Sequence, residues 1–155
     1  MDPLISIVDY SPVYAKAFKD LNLAWIASAH EVEEDDERVL SQPEKYILEP
    51  GGAIIIALYN DEPVGTCALR KVSDRLFEMT KMTVSADMRG KAIGRLLGEA
   101  IIRKARELGG TVLELYSNRG ACGIAIGMYF RLGFTEVPVD NEIYKRADIK
   151  MRLPL

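Results

Sequence analysis

The stretch from Leu76 to Gly110 restricts the fold more than any other part of this 155-residue chain. LFEMTKMTV (Leu76 to Val84) has the composition of a long strand, and SADMRGKAIG after it is a loop rich in small residues. Ile93, Leu97, Ile101, Ala105 and Leu108 then recur at helical spacing, with Arg95, Glu99, Arg103 and Arg106 turned elsewhere. Gly109-Gly110 supplies the stop. A strand that feeds an amphipathic helix needs a sheet for that helix to cover, so the fold class is α/β. The flanking segments agree. AIIIALY (53–59) and the run 63–71, joined by Asn60-Asp61-Glu62, read as a hairpin. Thr111 to Ser117 is a further strand, Ala121 to Leu132 a helix stopped by Gly133, and strands near 134–139 and 147–153 follow. Upstream, Ser11-Pro12 opens a helix over 12–29, and an extra strand fits Leu4–Asp9. SQPE (Ser41 to Glu44) has capping-box spacing for a short helix through Leu48, which Pro50-Gly51-Gly52 ends. With no linker or repeat, 1–155 reads as a single domain: a mixed sheet flanked by helices.

Composition narrows the function. Hydrophobic residues make up 48% and charged residues 28%, a balance that buries a core and argues against disorder. No apolar run nears the ~18 residues of a membrane span, and MDPLISIVDY lacks a signal-peptide pattern. A cytoplasmic protein with no membrane partner is expected. One histidine, with Cys67 and Cys122 far apart, speaks against a zinc cluster or a disulfide framework, so no metal is expected. The net charge of −3 gives no reason to expect nucleic acid. Charge is nevertheless segregated. EVEEDDER (Glu31 to Arg38) holds six carboxylates, whereas Lys81 to Arg106 holds seven bases against Asp87 and Glu99. The two runs are either solvated faces or places that receive ions of opposite sign.

RGKAIGR (Arg89 to Arg95) is the place where chemistry is expected. A helix N-terminus offers unpaired N–H groups and a positive dipole end, Gly90 and Gly94 permit close approach, and Arg89, Lys91 and Arg95 add charge. A phosphate or pyrophosphate suits it, and a tight turn with solvated bases is the plainer alternative. The loop is neither that of the nucleoside triphosphatases, since no Ser or Thr follows a Gly-Lys, nor a dinucleotide G-x-G-x-x-G after the first strand.

Arg89-Gly90-Lys91-Ala92-Ile93-Gly94 resembles the R/Q-x-x-G-x-G/A motif of the Gcn5-related N-acetyltransferases (GNAT), with Ala92 where that family usually has glycine. FEMTKMTV before it, LELYSN and GMYFRLGF after it, and GGAIIIALYNDEPVGTCAL upstream extend the resemblance over roughly 50–153. It implies a mixed, mostly antiparallel central sheet flanked by helices. The activity it implies is transfer of acetyl from acetyl-CoA, as co-substrate, to a primary amine of a small molecule or peptide by direct attack. It further implies that Arg89, Gly90, Lys91, Ala92, Ile93, Gly94 and Arg95 cradle the pyrophosphate, that Met82, Thr83 and Val84 pair with the pantetheine arm, and that Asn118 contacts that arm. Tyr129 matches the tyrosine that protonates the departing thiolate, and Glu78 a general base acting directly or through water. Read without the family, Tyr129 packs on the sheet, Glu78 faces solvent, Asn118 is a turn residue, Cys122 a small helix residue and His30 a helix end. Ala92 is expected to take helical angles. Other acyl donors, a coenzyme A sensor without turnover and an interaction domain built on the acidic run remain as alternatives, and a homodimer is left open. An acidic entrance at Glu31–Glu37 would favour a cationic acceptor.

Overall fold

In a computed structural model of the chain, residues 4–29, 33–139 and 147–155 are described. Among them, seven strands form one sheet: β1 (Ile5–Asp9), β2 (Ala53–Tyr59), β3 (Glu62–Lys71), β4 (Leu76–Val84), β5 (Val112–Ser117), β6 (Thr135–Val137) and β7 (Ile149–Pro154). Their order in space is β1-β2-β3-β4-β5-β7-β6. Every neighbouring pair is antiparallel except β4 and β5. The helices are α1 (Ala15–Ala29), α2 (Glu34–Ser41), α3 (Ile93–Glu107) and α4 (Arg119–Leu132).

The unbroken apolar run of β2 reflects burial on both faces. Ile54, Ile56 and Leu58 pack with Phe18 and Ile26 of α1 and Leu40 of α2. Ile55 and Ala57 belong to the other core, with Leu97, Ile101 and Ala105 of α3 and Ile126 and Tyr129 of α4. The hairpin turns on Asn60 and Asp61, at φ 51° and 66°. Two successive left-handed residues match the right-handed twist of the strands, and Asn and Asp tolerate that conformation best among residues other than glycine.

One expectation for the region before β2 is corrected. The described part of the acidic run opens α2, where Glu33 and Asp36 cap each other's backbone reciprocally and Glu34 meets Arg38 at 3.5 Å. Ser41 is therefore the last residue of a helix and not the cap of the next. The segment Glu44–Leu48 forms a single π-helical turn, preceded by Pro43 without a side-chain cap.

Candidate active site

The parallel pairing of β4 with β5 runs from Leu76–Val112 to Met79–Leu115 and stops there. Both strands continue, β4 to Val84 against β3 and β5 to Ser117 against β7, so they diverge. A bulge assists the divergence. Thr66 pairs with Thr83 and Ala68 with Thr80, which leaves Lys81 and Met82 opposite the single residue Cys67. Lys81 takes φ 54°, and its carbonyl accepts the Thr66 hydroxyl at 3.1 Å. Among the described residues, the side of β4 that faces β5 therefore has no strand partner over Thr80–Val84.

The N-terminus of α3 opens into the same gap. Ala92, its N-cap, has φ 63° and ψ 17° and makes no side-chain cap, and the first turn holds no acidic residue. This corrects the expected helical angles. Between the Ala86–Met88 turn and α3 the chain passes through extended Arg89, left-handed Gly90 and left-handed Ala92. Gly90 stands at φ 85° with nothing within 4 Å of a notional Cβ, so the backbone is bare toward the gap. With Arg89 and Arg95 at its rim, this turn is arranged to receive an anion.

A cavity of about 1110 Å³ fills the divergence. Of the residues singled out in the sequence, Glu78, Met82, Thr83, Val84, Arg89, Gly90, Ala92, Ile93, Gly94, Arg95, Asn118 and Tyr129 line it. Lys91 does not, because its ammonium lies 5.5 Å from the centre of the Tyr59 ring. Tyr129 is only 6% exposed and meets Phe134 edge to face, with centroids 5.9 Å apart. Burial, more than the neighbouring cysteines, pushes its phenol above the ordinary range, so it keeps its proton at neutral pH. Glu78 is not solvent-facing as its residue pattern alone allowed. It is 1% exposed, and Arg70 donates to its Oε1 from Nε at 3.2 Å and Nη2 at 2.7 Å. On β5 its register neighbour Glu114 meets Arg152 at 3.2 Å and Lys150 at 3.4 Å. Two adjacent buried carboxylates are thus each matched by cations.

The wall that sequence reasoning missed comes from α1 and β5: Asn22, Trp25, Ile26 and Tyr116. Tyr116 shares a face with Glu114 by strand alternation, which was a usable signal; α1 offered none beyond its apolar period. None of the described residues of the acidic run lines the cavity. Asp36 instead meets Lys81 at 3.5 Å, both largely buried. His30 and Glu31 lie outside the described residues.

A gap between parallel strands, a bulge before it and a helix start behind it form one cleft able to receive an anion, and comparison with known proteins supplies the class of protein that carries it. The sequence model of the acetyltransferase (GNAT) family matches residues 15–134, and the chain belongs to that family. It is 30% identical over 103 residues to the mycothiol acetyltransferase of Sanguibacter keddieii, 63% of this chain but only 32% of that protein, so the chain spans about a third of that relative. Among solved structures, a GNAT-family acetyltransferase of Staphylococcus aureus superposes with a TM-score of 0.86 at 21% identity, covering 97% of this chain and 99% of that one. The PaiA N-acetyltransferase of Thermoplasma acidophilum, in complex with coenzyme A, gives 0.75 at 16% identity over 97% and 99%. At these identities the likeness is one of fold. Among the described residues, no group of His, Cys, Asp and Glu is placed to hold a metal ion, and no helix is long and apolar enough to cross a membrane.

Proposed function

We propose that the chain transfers an acetyl group from acetyl-CoA to a primary amine, by direct attack of that amine within the cavity. The observation that carries this reading is the end of β4–β5 pairing at Met79–Leu115, opening onto the uncapped start of α3. Acetyl-CoA, when bound, supplies an activated thioester. The residues present suit it. Gly90 leaves open the space a side chain would fill, the loop amides from Arg89 to Arg95 would hold the pyrophosphate, and Lys91 adds charge from outside the lining. The unpartnered edge formed by Met82, Thr83 and Val84 can pair with an amide-bearing arm as a strand would, and Asn118 stands across the gap.

The chain's own groups then divide the proton work. An alkyl amine is mostly protonated at neutral pH and must lose a proton before it can attack. Glu78 takes that proton directly or through water. Tyr129 holds its hydrogen and donates to sulfur as the thiolate departs. General acid and base help of this kind is typically worth about 10²–10⁴-fold. The test is a screen of amine classes monitored by free thiol release, run beside the melting temperature with and without coenzyme A. Thiol release that depends on the amine supports the reading. A coenzyme A shift without turnover would instead describe a sensor, and no shift at millimolar coenzyme A would remove both.

A further inference from the structure

Asn22, on α1, is used by none of these roles. It is 3% exposed, and its amide nitrogen donates both hydrogens, to the Phe18 carbonyl at 2.8 Å and to Thr66 Oγ1 at 3.1 Å. The single Thr66 hydrogen goes to the Lys81 carbonyl, so toward Asn22 the Thr66 oxygen can only accept. The Phe18 carbonyl can likewise only accept. The amide is therefore fixed with nitrogen toward these partners and Oδ1 on the other side. Oδ1 has no partner among the described residues. No buried side-chain oxygen or nitrogen there lacks a hydrogen bond. Oδ1 consequently reaches open space, and the open space that Asn22 borders is the cavity. An acceptor held in one direction on the cavity wall is available to a donor that enters there.

We infer that Asn22 Oδ1 binds an N–H of the acceptor amine, an assignment that rests on the transfer reading above. Glu78 lines the same cavity. The positional cue is the hydrogen-bond chain Asn22–Thr66–Lys81, which ties the orientation of Oδ1 to the bulge that opens the site.

The experiment compares Asn22→Leu with Asn22→Asp, using butylamine, phenethylamine, spermidine and lysine amide as probes. Both variants lose the two N–H donors, but only Asp keeps an oxygen facing the cavity. Asn22→Leu should raise the KM of whichever probe wild type acetylates by about tenfold, with the acetyl-CoA KM within about twofold. Asn22→Asp should keep the amine KM close to wild type even where its melting temperature falls as far as that of Leu. Equal amine KM values for the two variants would overturn the inference and leave Asn22 a brace for α1. If Asn22→Leu fails to fold, Asn22→Ala makes the same comparison. Absence of thiol release from wild type with all four probes overturns the transfer reading and this inference together. A transfer activity that Asn22→Leu leaves unchanged overturns the inference alone.

Discussion

Ala92 occupies a left-handed position that glycine would hold without steric cost, since its Cβ crowds the following carbonyl. Ala92→Gly removes roughly 1–2 kcal/mol of that strain and returns about half of it through greater freedom of the unfolded chain. A net gain of about 0.5–1 kcal/mol should appear as a melting-temperature rise of about 1–4 °C. Lost stability would mean that the methyl packs usefully. Tyr129 invites a different measurement. Tyr129→Phe keeps the ring against Phe134 and removes only the hydroxyl. Its kcat should fall about 100-fold while the coenzyme A thermal shift stays as in wild type. An unchanged kcat would assign the proton to water.

α2 shows an element in which one carboxylate has two tasks. Asp36 caps the Glu33 backbone at 3.0 Å and also neutralises Lys81 at 3.5 Å. Asp36→Ala should destabilise the chain by about 2 kcal/mol, read as a lower urea midpoint, because it strips a cap and leaves a largely buried ammonium alone. This element also marks how far the sequence was legible. The strands, α3 and α4 were readable because apolar period and glycine stops agree there, and the anion loop because two glycines and three bases coincide. α2 was not readable: six carboxylates mimic a solvated run, and only a distant lysine on β4 turns one of them inward. The bulge at Lys81 was invisible for a related reason, since a left-handed lysine has no local signature. Asn22 was hidden because its meaning depends on Thr66, 44 positions away. Pairings remote in sequence decide what local patterns cannot.

At the scale of the molecule, Gly94 allows the cofactor reading to be tested without disturbing the core. A Cβ there would meet Met128 Sδ at 3.6 Å and Val84 Cγ2 at 3.9 Å, ordinary contacts. Gly94→Ala should therefore fold and bind, whereas Gly94→Glu should fold and lose the coenzyme A shift, which for wild type at 100 times Kd corresponds to about 2.7 kcal/mol. Alkaline pH offers a second global test. Burial raises both the Cys67 thiol and the Tyr129 phenol. The folded state then holds protons that the unfolded chain releases near pH ~8.5 and ~10, so stability is fully present below these values and declines above them. A urea midpoint that stays constant from pH 8 to 11 would contradict this. The divergence of β4 from β5 carries a last consequence, in the time domain. Along one continuous strand, amides up to Met79 sit between two neighbours, while those from Thr80 to Val84 have, among the described residues, a neighbour on one side only. Deuterium uptake should therefore change abruptly within β4, slow before the divergence and faster after it. A ligand lying in the gap would slow the faster half alone, which would make that strand a built-in clock for occupancy.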